Sequence, residues 1–320
     1  VHRKQQFVQQ IQAGDVVEDI FLASEKTILQ KRDGSPYLRL TLGDKTGEVK
    51  AVMWDHVNEA IPHFSSGDFV QIRGAASEYQ GLLQITVKSL SKCPEGDVDA
   101  AAFLPSTDKN VPSMLDRLQN LTRSVQKGWL QELLEEFWKD AEFVRGFITA
   151  PAAKRMHHAY LGGLLEHTLS VAVLAEKTAA HYAGIRRDLL LAGAVLHDIG
   201  KIHELDYRTG IDYTTEGRLL SHIVIGLRML DEKLGHIGSV PEEEVMLLRH
   251  LIVSHHGKKE FGSPEEPRTL EALLLNYVDE MDSKIAAVRE AIAVSGPGEA
   301  WTPYHRMMER HFYIGDKMEG

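Results

Sequence analysis

Leu196-His197-Asp198-Ile199-Gly200-Lys201 ends the apolar run Leu189-Leu190-Leu191-Ala192-Gly193-Ala194-Val195 and sets a histidine beside a carboxylate. A helix that is apolar nearly all round has no face for solvent, so this one belongs inside a helical bundle. Burial of that kind suits a site that must hold a rigid geometry. A neutral imidazole nitrogen next to a charged carboxylate oxygen is the donor mixture that transition metals favour. Gly200 is expected to break the helix and leave Lys201 near the pair. Its cation would there stabilise negative charge that develops in a reaction at the pair.

Histidine is concentrated around this stretch: of 16 in the chain, 11 fall between His157 and His256. His167 lies in a helix expected to continue through Ala180, one turn from Gly163 and Val171 on a largely apolar face. His222 opens an apolar-periodic stretch of Ile223, Leu227, Leu230 and Leu234. A helix over 242–254 presents His255, His256 and Gly257 at its C-terminal end, while His250 falls on another face and reads as structural. A long helix over 270–292 carries Asp279 in its apolar face, a costly place for a carboxylate without a cation or metal. Asp282, one turn on, is a second candidate for the same region.

Taken in order, His167, His197/Asp198, His222, His255/His256 and Asp279 form the series H, HD, H, HH, D. That series resembles the HD superfamily of metal-dependent phosphohydrolases. The resemblance implies that His167, His197, Asp198 and Asp279 hold one ion. The added His222 and His255/His256 are similar to the two-metal members, in which Asp198 would bridge to a second ion about 3.5 to 4 Å away. Imidazole-rich ligation favours a transition metal over Mg or Ca: manganese first, with Fe, Co, Ni and Zn as other choices. Which of His255 and His256 is the ligand stays open.

Upstream the pattern changes to strands and turns. Strands are expected over 15–29, 37–42, 47–53, 69–77 and 82–90, with turns at Arg32-Asp33-Gly34-Ser35, Gly43-Asp44-Lys45-Thr46-Gly47 and Tyr79-Gln80-Gly81. A short amphipathic lead-in occupies 4–12, and 55–61 reads as a helix or turn bridging the third strand to the fourth. Five short strands in this order resemble the OB-fold, and Leu42-Gly43-Asp44-Lys45-Thr46-Gly47-Glu48-Val49-Lys50-Ala51 is similar to the hairpin of its nucleic-acid-binding members. Such barrels stack bases on aromatics and track phosphates with cations. The candidates are Tyr37, Trp54 and Tyr79, with Lys31, Arg32, Arg39, Lys50 and Arg73 near them in sequence.

The fold class is therefore multidomain α+β: a five-stranded OB barrel over 1–95, a proline-bearing linker over 96–112 and an all-α HD domain over 113–320. Apolar residues at helical spacing from Met114 to Phe137 open the helical part, no convincing strand follows, and a last helix is expected after Trp301-Thr302-Pro303-Tyr304-His305-Arg306-Met307-Met308.

The combination narrows the likeness. The two domains, with His157-His158-Ala159-Tyr160-Leu161-Gly162-Gly163-Leu164-Leu165-Glu166-His167-Thr168, Ser254-His255-His256-Gly257-Lys258-Lys259-Glu260-Phe261-Gly262-Ser263-Pro264 and Asp279-Glu280-Met281-Asp282-Ser283-Lys284, resemble bacterial YhaM-type 3'-to-5' exoribonucleases over nearly the full chain. The resemblance implies metal-dependent hydrolysis of single-stranded RNA, with DNA as a further substrate, from the 3' end to nucleoside monophosphates. Arg155, His158, Lys201 and Lys258 are expected to contact phosphates near the metals, and the family makes a homo-oligomer reasonable. Two alternatives are weighed against this. One is an HD phosphodiesterase acting on small nucleotides, with a regulatory barrel. The other is a binding protein whose HD site is structural, which the intact metal set argues against.

Composition bounds these readings. With 320 residues, 43% hydrophobic and 26% charged, the chain can bury two cores. No apolar run approaches membrane-spanning length and the polar start lacks a signal-peptide core, so a cytoplasmic address without membrane contact is expected. The lone Cys93 excludes an intrachain disulfide framework and reads as an incidental strand residue. The net charge of -10 argues against indiscriminate nucleic-acid binding, yet residues 1–95 are near neutral, with 11 Lys/Arg against 12 Asp/Glu. Metal ions would supply positive charge locally in the acidic remainder.

Overall fold

The structure, a computed structural model, describes residues 4–154, 158–293, 295–296 and 298–315. It divides into two compact units, Val1–Ser106 with Asp206–Ile211, and Thr107–Leu205 with Asp212–Gly320. The change of unit at 106/107 falls within the stretch expected as linker.

The first unit is a closed barrel of β1 (Val16–Gln30), β2 (Pro36–Asp44), β3 (Gly47–Met53), β4 (Phe69–Tyr79) and β5 (Leu82–Lys92), in the order β1-β2-β3-β5-β4. All neighbours are antiparallel except β3 and β5. This is the barrel that the OB resemblance implies. Alternation does most of the work of closing it: Leu38, Leu40 and Leu42 of β2, Val49 and Ala51 of β3, and Ile72 and Ile85 point inward into one core. The 15-residue β1 pairs with both β2 and β4, and a register shift between Ala23 and Glu25 bends it between them. A second shift follows Arg73, where a Cβ on Gly74 would lie 2.4 Å from the Thr86 carbonyl oxygen, so only glycine fits. The β2–β3 turn is closed by Asp44, which accepts from the Thr46 amide at 2.8 Å and from the Val8 amide at 2.8 Å. The bridge from β3 to β4 contains a single helical turn, α1 (Val57–Ala60).

The second unit holds α2 (Val111–Arg123), α3 (Gly128–Lys139), α4 (Ala141–Thr149), α5 (Gly163–His181), α6 (Arg187–Leu196), α7 (Lys201–Glu204), α8 (Thr215–Leu234), α9 (Glu242–Ser254) and α10 (Leu270–Ala293). Every residue of 189–196 is buried, and α6 packs against α3, α5, α9 and α10, as its all-apolar surface requires. The apolar run that opens this unit is split at 124–127, where Asp188 accepts from the amides of Gln126 and Lys127. Two expectations are corrected. Two-residue strands, Leu205–Asp206 and Asp212–Tyr213, interrupt the helices. Residues 301–315 form no helix: Trp301 bridges Tyr313 and His305 bridges Arg310, and Thr302 and Phe312 exchange hydrogen bonds that would be lost in a helix. Among the described residues, no helix is long and apolar enough to cross a membrane.

Glu271, buried at the start of α10, accepts from the amide, Nε and Nη2 of Arg186 at 2.9, 3.1 and 2.9 Å and so fixes the entry to α6. Burial disfavours its charged form, but the Arg186 bonds outweigh it and hold the carboxyl below its usual range. A depressed carboxyl contributes stability above its unfolded pKa, about 4.3, and loses it as pH falls through the folded value. Glu271→Gln should therefore cost about 2 kcal/mol at pH 7 and less at pH 4, read by urea denaturation. A penalty equal at both pH values would show that charge is not what matters there.

Candidate metal centre

Five helices converge their ends or faces on one point. α5 brings His167, the end of α6 brings His197 and Asp198, α8 brings His222, α9 ends at His255 and His256, and α10 carries Asp279. Around Asp198 Oδ2 gather His197 Nε2 at 3.4 Å and His167 Nε2 at 3.6 Å, and His167 Nε2 lies 3.1 Å from Asp279 Oδ1. Around Oδ1 of the same carboxylate stand His222 Nε2 at 3.5 Å and His255 Nε2 at 3.6 Å. The ligand atoms of His167, His197 and Asp279 form one cluster and those of His222, His255 and His256 another. Asp198 thus presents one oxygen to each.

The reason the nitrogens face inward lies on the far side of each ring. His197 Nδ1 donates to the Ala194 carbonyl at 2.9 Å, His255 Nδ1 to that of Ile252 at 2.6 Å and His256 Nδ1 to that of Phe261 at 3.0 Å. His167 Nδ1 meets Asp282 at 2.8 Å and His222 Nδ1 meets Glu204 at 3.0 Å. With each Nδ1 committed, the Nε2 atoms turn toward one another and toward carboxylate oxygens; those of His167 and His197 are 3.3 Å apart. Among the described residues, Asp198 Oδ1, His222 Nε2 and His255 Nε2 are buried without hydrogen-bond partners. Converging acceptors of this kind fit divalent metal ions and little else.

Protonation follows the same logic. Burial opposes ionisation of Asp198, but Lys201 and His197 outweigh it and hold the carboxyl well below its usual range; Asp279 is lowered too, by His167 and His197 against burial. Burial lowers His255, and burial with the His255 charge lowers His256 to about 4. Ionised carboxylates and neutral imidazoles are the forms that ligate. At His167 burial is overcome by hydrogen bonds to Asp279 and Asp282, which raise it to about 9, a mark of how strongly this half attracts a positive charge.

Gly200 does not end the helix through an unusual backbone angle: its φ is -63°. It is needed because a Cβ there would lie 2.0 Å from the His222 carbonyl oxygen and 2.7 Å from the Gly226 amide. Inside α8, Ser221 takes φ 61° and ψ 162°, a kink that frees the His222 amide to donate to Glu204 at 2.8 Å. Lys201 Nζ donates to Asp198 Oδ2 at 2.5 Å. A cleft of about 700 Å³ opens onto the cluster, lined among others by Lys201, His222, His255, His256, Asp279 and the exposed Lys258.

The remaining expected residues are dispersed. His158 is buried behind the ligands, with φ 58°, its ring against the Tyr160 hydroxyl at 2.9 Å and Asp282 at 3.2 Å. Arg155 lies outside the described residues. In the barrel, Tyr37 and Trp54 stack with centroids 4.7 Å apart, and Lys31 stands 5.9 Å from the Trp54 ring. Arg39 is exposed on β2 beside them in register, while Tyr79 is exposed at the β4–β5 turn. Glu204, which backs His222, is not legible in the chain, since no spacing ties the two together. His250, taken as structural, accepts from the Arg268 amide at 2.9 Å.

The chain matches the HD domain family over residues 164–284 and an OB-fold nucleic acid binding domain family over 25–92. It is 33% identical to the 3'-5' exoribonuclease YhaM of Geobacillus sp. (strain WCH70) over 94% of this chain and 93% of that protein. Against its counterparts in Halalkalibacterium halodurans and Bacillus subtilis (strain 168) the identities are 34% and 32%, over 94% of this chain and 94% and 96% of theirs. Barrel, metal centre and full-length likeness agree: the chain belongs to the YhaM family of 3'-5' exoribonucleases, metal-dependent hydrolases that join an OB barrel to an HD domain.

Proposed function

We propose that this chain shortens single-stranded RNA from its 3' end, with DNA as a further substrate, and releases nucleoside monophosphates using two divalent transition-metal ions, manganese first among them. The observation that carries this reading is the two-sided Asp198, each oxygen facing its own histidine group. His167, His197, Asp198 and Asp279 would hold one ion and Asp198, His222, His255 and His256 the other. A pair of such ions supplies a strong nucleophile at neutral pH and charge against both oxygens of an in-line displacement.

The chain's own groups do the rest. Asp198 holds Lys201 in the cleft floor, where its ammonium stabilises negative charge gathering on the phosphate. Burial opposes the charge on Lys201, but Asp198 outweighs it and keeps the ammonium protonated. Lys258, at the cleft, draws in the phosphates. His158, by contrast, acts through Asp282 on His167 rather than on substrate. The stacked Tyr37 and Trp54, with Arg39, Tyr79 and Lys31, offer the strand bases and phosphates a track in the barrel.

The test is manganese-loaded protein incubated with 5'-labelled single-stranded RNA carrying a free 3' end. A progressive ladder that vanishes on adding chelator is expected. Intact RNA, together with cleavage of mono- or dinucleotides, would instead favour a small-nucleotide phosphodiesterase with a regulatory barrel.

A further inference from the structure

We propose that Phe261 and Lys258, on the wall of the metal cleft, seat the base and phosphate of the 3'-terminal nucleotide, and that Tyr213 and Lys154 offer the next nucleotide a seat of the same chemistry. The proposal rests on the reading of the chain as a 3'-end ribonuclease and adds what faces the bases at the centre itself.

Phe261 and Tyr213 both line the cleft, yet they are 63% and 42% exposed. Large rings left in water beside a buried metal centre contribute little to folding, and an exposed aromatic in a cleft points to a ligand. Each has an ammonium next to it: Lys258 Nζ lies 5.9 Å from the Phe261 centroid and Lys154 Nζ 5.6 Å from that of Tyr213. A ring accepts the face of any base and a neighbouring lysine accepts a phosphate, which is the make-up of sequence-tolerant single-strand sites. The ion pairs these lysines now make are with half-exposed or exposed carboxylates, Glu260 at 3.4 Å and Asp212 at 2.6 Å, which an incoming phosphate replaces at small cost.

Phe261 is also built into the centre. Its carbonyl accepts from Nδ1 of His256, the Lys258 amide donates to the His256 carbonyl at 2.9 Å, and the Phe261 amide closes the turn onto Lys258 at 3.0 Å. The ring is therefore exposed on a pinned backbone. A platform fixed in advance loses little entropy when a base settles on it.

The experiment removes the ring and the base separately and together. Full-length, manganese-loaded Phe261→Ala is compared with the unaltered enzyme on 5'-labelled RNA whose 3'-terminal nucleotide is intact or abasic. Each removal alone should raise KM about tenfold, the size of one base–ring stack. Both together should raise it by about the same tenfold, because they delete the same contact. Phe261→Trp should restore KM, and metal content by elemental analysis should be unchanged in both variants, since the tie to His256 is main chain. Tyr213→Ala should show the same non-additivity with an abasic penultimate nucleotide. Additive effects, or an unaltered enzyme that shortens abasic RNA as readily as intact RNA, overturn the seat alone. An unaltered enzyme that shortens no single strand overturns the exonuclease reading and the seat with it.

Discussion

Asp198→Ala is expected to lower turnover by about a thousandfold or more while leaving strand binding within about twofold of the unaltered protein. The size of the effect follows from position. Its two oxygens face the two groups, Oδ2 toward His167 and His197 and Oδ1 toward His222 and His255, so one substitution would weaken the hold on an ion at either side. It also strips Lys201 of its 2.5 Å partner and leaves that ammonium buried against imidazoles. The Tyr37–Trp54 stack lies in the other compact unit and is untouched. Elemental analysis should find both ions depleted, and fluorescence anisotropy with a labelled oligonucleotide should report unchanged binding. Unaltered turnover in a variant that holds no metal would sink the mechanism.

How much of this was legible in the sequence depended on the range of the forces involved. Strand alternation and glycine-bearing turns are local, so the five strands were placed within two residues of their observed ends, and β3 on the residue. The helices over 163–181, 242–254 and 270–293 likewise followed from apolar periodicity and from where it stops. The seven candidate positions were legible because a metal site confines the choice to a few residue types, and their side chains lie close together in the structure. What stayed hidden was long-range pairing. Asp282, placed second to Asp279, backs His167 from 115 residues away, and Glu204 backs His222 from 18; neither separation leaves a mark in the chain. The same holds for His158, expected from the family likeness to contact a phosphate, whose ring is turned inward to Asp282. The C-terminal hairpin misread as a helix depends on the exchange between Thr302 and Phe312, ten residues apart.

Gly200→Ala is the second large effect, and it separates close packing from backbone freedom as the reason for this glycine. Its φ of -63° suits any residue, so a methyl group at Gly200 meets no strain of its own. The obstacle is the neighbour: the Cβ would sit 2.0 Å from the His222 carbonyl oxygen and 2.7 Å from the Gly226 amide, both main chain and therefore unable to swing aside. The turn after Asp198 and α8 must then part by more than an ångström. Overpacking of that degree costs about 3 kcal/mol or more, which in a unit of this size lowers Tm by roughly 10 °C. Because the carbonyl pushed away belongs to His222 itself, its ring leaves Asp198 Oδ1, and the Glu204 bonds that aim it are stretched. Differential scanning calorimetry should show the lower Tm, and metal analysis of the folded fraction should fall from two ions toward one, with the His167 half retained. If Gly200→Ala melted with the unaltered protein and kept both ions, the close crossing of the turn over α8 would be disproved. A lower Tm with both ions in place would confine the contact to stability and detach it from the aim of His222.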